Sequence, residues 1–272
     1  MRIAFIGDII GRPGRNHIKK ELKRIRNNYN IDFVIANGEN ASHGFGLTVD
    51  NANELLKSGV DVLTGGNHTW DKKKDILTLF QNGSPVLRPH NYPDGVEGTG
   101  LMIIELNGIQ IAILNLMGIY GMPQVTNPFI VAQEIVKDLH NDGIKHIFID
   151  FHGETTAEKR IIFELLKGKV SAICGTHTHI GTDDYEVAFD TFYVTDIGLT
   201  GCRDNVIGMD NHVPIKKALT GIGGHFDIPN SCKTILQLII VDINEDGKAI
   251  DGMKLKFFSD QEPIVNKALV TI

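Results

Sequence analysis

The chemistry-bearing residues of this chain sit in short polar turns, each placed directly behind an apolar run. Gly65-Gly66-Asn67-His68-Thr69-Trp70 follows the run 60–63. It pairs an amide oxygen able to ligate a hard cation with an imidazole able to give or take a proton near neutral pH. Its two glycines let a ligand approach the backbone where a Cβ would block it. Four more turns have the same placement: Gly7-Asp8, Gly38-Glu39-Asn40, His152-Gly153 and Gly175-Thr176-His177-Thr178-His179. Together they offer the carboxylates of Asp8 and Glu39, the amide oxygens of Asn40 and Asn67, and the imidazoles of His152, His177 and His179. Two divalent ions sharing a site need a bridging carboxylate, about three further ligands each, and an open position for water. The set contains no thiolate, which favours Mn, Fe or Zn over a soft-metal or iron-sulfur centre.

Each turn alone has a plain reading. Asp8 could cap a helix, His177-x-His179 could be surface loop, His152 a buried and satisfied imidazole, and Glu39-Asn40 ordinary turn residues. Their shared position behind apolar runs is what sets them apart, because ligands of an open parallel sheet bind outside the carboxyl ends of its strands.

The elements needed to place them there are legible. Strands are expected over 2–7, 32–37 and 60–63. They alternate with a helix over 13–28, a helix capped by Thr48 that carries Ala52, Leu55 and Leu56, and a helix over 71–81. Three such units predict a parallel sheet with right-handed crossovers. Runs 101–106 and 110–116 flank Asn107-Gly108 and predict a hairpin that adds an antiparallel element to the sheet. A long loop over 117–129 is expected to lie near the site. Helices over 130–141 and 157–167 then alternate with strands over 145–151 and 170–174. Extended runs over 185–189 and 192–195, an irregular glycine-rich stretch over 198–208, and a closing hairpin of 234–243 with 249–258 complete the reading. The fold class is α/β, with mixed, mostly parallel sheets covered by helices. No linker composition interrupts 1–272, so one domain is expected.

With 272 residues, 42% hydrophobic and 22% charged, the chain can bury a large core. Its net charge of −6 argues against an electrostatic grip on long nucleic acid, but it admits a small anionic substrate if metal supplies positive charge. Lys19, Lys20, Lys23, Arg24 and Arg26 read as the solvated face of the first helix. No signal peptide is evident and no apolar run approaches ~18 residues, so a cytoplasmic protein without membrane contact is expected. Cys174, Cys202 and Cys232 lack any paired spacing and are expected to be free thiols, Cys174 buried. His17, His43, His90, His140, His146, His212 and His225 have no placement of this kind, and a homo-oligomer is left open.

The order and spacing of the five turns resemble the calcineurin-like metallophosphoesterase superfamily. Its blocks are Asp-x-His, Gly-Asp-x-x-Asp, Gly-Asn-His-Glu or Asp, a lone His after a strand, and Gly-His-x-His. Here they stand as Asp8-Ile9-Ile10, Gly38-Glu39-Asn40, Gly66-Asn67-His68-Thr69, His152-Gly153 and Gly175-Thr176-His177-Thr178-His179. Three departures are Ile10 at a usual histidine ligand, Glu39 in place of Asp, and Thr69 in place of the acid after Asn-His. They are similar to the bacterial YmdB-type branch, which also shows Gly-Asp-Ile, Asn-Gly-Glu-Asn, Gly-Asn-His-x-Trp and Gly-Thr-His-Thr-His.

The resemblance implies a four-layer α/β/β/α sandwich and two metal ions. One ion would be held by Asp8, Glu39, Asn40 and His179, with Asn40 replacing the nitrogen that Ile10 lacks. The other would be held by Glu39, Asn67, His152 and His177. His68, outside both ligand sets, becomes the general acid, and a metal-bound hydroxide the nucleophile. The implied substrate is a small phosphodiester, a 2′,3′-cyclic nucleotide, with contacts expected from 117–129 and 198–208. Two alternatives stay open at this point: a phosphomonoesterase or nucleotidase on the same scaffold, and a regulatory protein with a structural or sensory metal site. An uncoordinated His68 disfavours the last, since structural sites are closed.

Overall fold

Strand β1 (Arg2–Ile6) is buried along Ile3 to Ile6, and its alternate side chains enter two different cores. Ile3 and Phe5 point to one side, Ala4 and Ile6 to the other, as the two-residue period of a strand requires. In the computed structural model, which describes residues 1–229 and 231–271, this strand sits within a sheet packed on both faces. β2 (Phe33–Asn37) and β3 (Val62–Thr64) follow it in parallel, with Ile3 opposite Phe33 and Ile35 opposite Val62. The connections are α1 (Gly11–Asn28) and α2 (Val49–Lys57), and α3 (Lys73–Gln81) follows β3. Thr48 caps α2 by accepting from the Asn51 amide at 3.4 Å. On α1, Ile18, Leu22 and Ile25 are buried while Lys19, Lys20, Lys23 and Arg24 are exposed. Arg26 instead turns back to the Gly59 carbonyl and Asp61.

The hairpin of β4 (Leu101–Leu106) and β5 (Ile109–Met117) turns at Asn107 and Gly108, both at positive φ as a type I′ turn demands. It begins the second of the two sheets and does not add to the first, a correction to the expected placement of 101–116. β5 continues in parallel into β6 (His146–His152) and β7 (Ala172–Thr176), through α4 (Pro128–Asn141) and α5 (Thr156–Leu166). β8 (Glu186–Ala188) and β9 (Thr191–Val194) complete this part. The chain then returns to the first sheet through β10 (Gly201–Cys202), α6 (His212–Thr220), β11 (Thr234–Ile243) and β12 (Ala249–Phe258). β11 lies antiparallel to β1, with Phe5 opposite Ile239. Finally β13 (Ile264–Lys267) joins the first sheet and β14 (Leu269–Thr271) the second. The strand orders are β13-β12-β11-β1-β2-β3, with β10 on β11, and β14-β8-β9-β7-β6-β5-β4.

Ile3, Phe5 and Ile35 of one sheet meet Ile113, Phe148 and Val194 of the other in a shared inner core. α1, α2 and α3 cover the far face of the first sheet, and α4 and α5 that of the second. These are the four α/β/β/α layers expected. The reading missed β10 inside the glycine-rich stretch, and it assigned nothing to α6, β13 or β14. α6 has no buried residue, so it carries no core-facing periodicity to detect.

The cysteine expectation is overturned in part. Cys202 and Cys232 form a disulfide with Cα atoms 5.5 Å apart, while Cys174 is a buried free thiol. The chain leaves β10 at Cys202 and returns beside it into β11, with the Arg203 amide bonded to the Lys233 carbonyl at 2.9 Å. A pairing set by this 30-residue excursion leaves no local spacing to read. No helix among the described residues is long and apolar enough to cross a membrane.

Candidate metal centre

All five turns lie at the carboxyl ends of their strands, at the edge where the two sheets meet. Asp8 follows β1, Glu39 and Asn40 follow β2, and Asn67 and His68 follow β3. His152 ends β6, and His177 and His179 follow β7. Approach is close enough that a Cβ on Gly66 would lie 2.4 Å from both Glu39 Oε2 and His152 Nε2. Only glycine fits there. Thr69 closes the same turn, its hydroxyl accepting from the Gly66 amide and donating to the Gly66 carbonyl.

The tightest group surrounds His152 Nε2, which lies 2.8 Å from Asn67 Oδ1, 3.1 Å from His177 Nδ1 and 3.1 Å from Glu39 Oε1. These spacings match neighbouring ligands on an ion with bonds of about 2.1 Å. Glu39 Oε1 has no hydrogen-bond partner despite that close nitrogen, because the contact lacks hydrogen-bond alignment. Asn40 donates through Nδ2 to the Gly44 carbonyl at 2.9 Å, which leaves its buried Oδ1 without a partner. Buried acceptors left free in this way fit a cation. Asp8 is looser, with Oδ1 3.8 Å from His179 Nε2 and its oxygens accepting from the His177 amide.

The outer nitrogen of each imidazole is also held, as it is in metal sites where a second bond fixes the tautomer. His152 Nδ1 donates to Thr176 Oγ1 at 3.0 Å, and that hydroxyl donates to Asp150 Oδ1 at 2.7 Å. His177 Nε2 donates to Glu154 at 2.8 Å, and His179 Nδ1 to the Ile207 carbonyl at 2.9 Å. Asp150 also holds Asn37 and Thr64 from the facing sheet. Beneath the His177-x-His179 turn, Asp196 accepts from Thr178 through amide and hydroxyl and pairs with buried Lys159 at 2.8 Å. That support holds His177 and His179 at φ of 98° and 65°, a region costly for side chains with a Cβ.

The electrostatics ask for positive charge. Burial pushes the Asp8 carboxyl up to about 6, against the pull of His179 and His152. Burial also works to raise Glu39, but the charge of His152 close by outweighs it and holds Glu39 at about 2. Burial disfavours a charged His152, yet Glu39, Asp8 and Asp150 raise it to about 9, whereas burial and the neighbouring His152 lower His177 to about 3. With no cation present, a proton on His152 thus occupies the place a metal would take. Metal binding must displace it, so affinity should rise about tenfold per pH unit up to about pH 9, and more steeply below about pH 6 where Asp8 also holds a proton. His177 is neutral throughout that range and contributes nothing. Calorimetric metal titrations in buffers of differing ionisation heat measure the released protons. An affinity flat between pH 6 and 8 would contradict the exchange.

His68 lies outside this cluster. Its amide donates to Glu39 Oε2 at 3.0 Å, and its Nδ1 lies 2.7 Å from Asp71 Oδ2. Its ring packs edge-on against Phe45 at 5.0 Å and lines a cleft of about 280 Å³ with Phe45, Glu154, His179, Met209 and Phe226. The expected acid after Asn-His is therefore displaced by two residues, from Thr69 to Asp71. Ile10, at the missing histidine position, packs in an apolar cluster with Leu199, Met209 and Ile235. Sequence reading missed Asp71, Asp150, Glu154 and Asp196. Glu154 was within reach, since it lies two residues beyond His152. Of the two expected contact loops, 198–208 lines the cleft through Ile207, and 117–129 brings Gly121 against Glu154, where a Cβ would stand 3.9 Å from that side chain.

A two-sheet sandwich with this cluster at its strand ends defines a phosphoric ester hydrolase of the calcineurin-like metallophosphoesterase fold. The chain belongs to the YmdB-like protein family, whose sequence profile matches residues 4–254. It is 39% identical over 249 residues to a 2′,3′-cyclic-nucleotide 2′-phosphodiesterase of Bacillus subtilis, covering 91% of this chain and 93% of that one. A crystal structure described as a novel phosphatase of Mycoplasma pneumoniae superposes with a TM-score of 0.89 at 32% identity, covering 95% of this chain and 93% of that one. A protein from Thermus thermophilus gives 0.86 at 32% identity over 98% of this chain and all 100% of that one. A Haemophilus influenzae NAD nucleotidase, 17% identical and with 60% of its chain covered, shares the fold at a TM-score of 0.61.

Proposed function

We propose that this enzyme hydrolyses nucleoside 2′,3′-cyclic phosphates to nucleoside monophosphates at a two-metal site. Asp8, Glu39, Asn40 and His179 would hold one ion, and Glu39, Asn67, His152 and His177 the other. Bound divalent ions there would neutralise the phosphoryl oxygens and activate water for attack. The chain's own residues do the rest. Thr176, Glu154 and the Ile207 carbonyl fix the tautomers that turn the ring nitrogens inward. Asp71 orients His68 so that its Nε2 serves the cleft.

As the bond from phosphorus to the ribose 2′ oxygen breaks, His68 donates the proton that oxygen needs, and the hydroxyl of water is left on phosphorus. The observation that carries this reading is the convergence of Glu39, Asn67 and His177 on His152 Nε2, with His68 oriented by Asp71 outside that group. The name of the Bacillus subtilis relative points to the same substrate.

The test is a hydrolysis panel on metal-loaded protein with cyclic, linear and monoester phosphates. Cleavage of 2′,3′-cyclic nucleotides without release of inorganic phosphate is expected. Phosphate release from nucleoside monophosphates, with the cyclic compounds left intact, would put the monoesterase reading in its place.

A further inference from the structure

A second cleft, of about 450 Å³, opens beside the metal centre and is lined by Arg12, Arg15, His43, Lys72, His225 and Asp227, among others. Phe45 is the wall between the two openings. Its ring meets His68 at 5.0 Å on one side and His225 at 6.3 Å on the other. The adjoining backbone is equally close-packed: a Cβ on Gly44 would lie 2.7 Å from Met209 in the first cleft and 3.1 Å from Ile228 in the second.

Charge sorts the lining residues. Arg15 is tied to Glu54 at 2.7 Å, and His225 faces Asp227 at 3.1 Å. Arg12 and Lys72 form no ion pair among the described residues, although the chain as a whole is acidic. Arg12 also stands in the first turn of α1, where no acidic residue offsets the positive end of the helix dipole. Arg12 and Lys72, two cations without a carboxylate partner on one cavity whose lining carries the single carboxylate Asp227, favour an anion there.

We infer that this cleft binds a second phosphate, carried on the 5′ oxygen of the same ribose whose cyclic phosphate is cleaved at the metal centre. This rests on the proposed phosphodiesterase reading. The ribose would lie across Phe45, with one phosphate on each side of that ring. The second phosphate can be a terminal 5′-monophosphate or the internucleotide diester of a short RNA that ends in a cyclic phosphate. Both present the same oxygens at the same place.

The experiment compares metal-loaded wild type with the double variant Arg12→Gln, Lys72→Gln, in which glutamine keeps most of the Lys72 stem that packs against Gly46. Substrates are adenosine 2′,3′-cyclic phosphate, its 5′-phosphorylated form, and a dinucleotide ending in a 2′,3′-cyclic phosphate. Wild type should show a kcat/KM about tenfold or more higher on the substrates with a second phosphate, and the variant should bring that ratio close to one. Preference for only one of the two identifies its source.

A wild type without preference, or a preference that survives both substitutions, overturns the inference. Binding of adenosine 5′-monophosphate to the same two proteins gives a readout independent of turnover. If no cyclic nucleotide is hydrolysed but the nucleotide binds at least tenfold more weakly to the variant, the phosphodiesterase reading fails and the anion cleft stands. Equal binding to both proteins rejects the cleft.

Discussion

Glu39→Ala is expected to strip the protein of bound metal and to lower kcat/KM on a 2′,3′-cyclic nucleotide by more than ~10³-fold, beyond the loss of a single charge-stabilising donor. The reason is position. One oxygen of Glu39 stands 3.1 Å from His152 Nε2, and the other accepts the His68 amide at 3.0 Å, so the carboxylate joins the cluster to the turn that bears the proposed acid. It is also buried, and its removal leaves His152 without the neighbour that most favours its charge. Asn40→Ala should do less. Its Nδ2 bond to the Gly44 carbonyl is a local tie, and only the free Oδ1 is available as a ligand, so the variant should weaken one ion and retain the other. Elemental analysis of both purified variants, alongside kinetics, separates the two outcomes. A Glu39→Ala protein with a full metal complement would remove Glu39 from its bridging place.

His68→Ala should give the opposite pattern, with metal content unchanged and turnover reduced by ~10²–10⁴-fold on substrates whose leaving oxygen needs a proton. The His68 side chain is held by Asp71 and Phe45 and forms no hydrogen bond to a proposed ligand among the described residues, so its truncation should leave the cluster intact. An aryl phosphodiester with an acidic leaving group should lose far less, because that oxygen departs without protonation. Asp71→Asn should cause a smaller loss of the same kind, since it releases the ring's orientation and leaves the ring in place. Equal losses on both leaving groups would argue that His68 acts on the ions or on binding.

The strands and helices that carry the turns were legible in two ways. The α1 stripe of Ile18, Leu22 and Ile25 shows its helical period, while β1, β2, β6 and β7, buried on both faces, show as unbroken apolar runs ended by a polar turn. Asn107-Gly108 declared its hairpin because the turn type demands positive φ at both residues. Which sheet a hairpin joins is a matter of long-range pairing, and nothing local in 101–116 reveals it. The same limit hid the disulfide, α6 and the terminal strands β13 and β14, whose exposed residues carry no burial pattern. At the site, residues with an obvious ligand chemistry could be picked out. Their supports could not, because Asp150 and Asp196 act through Thr176 and Thr178 across turns that only the folded chain brings together.

The donors at the centre divide by layer. Among the proposed ligands, the oxygens of Asp8, Glu39, Asn40 and Asn67 come from the first sheet and the nitrogens of His152, His177 and His179 from the second. Neither half of the molecule can complete a coordination sphere by itself. An ion held there would work as a rivet between the layers, bonded on one side to the ends of β1, β2 and β3 and on the other to those of β6 and β7. Metal loading and the docking of the two halves are then one equilibrium, in which ion at ~10³ times its dissociation constant adds about 4 kcal/mol to the folded state.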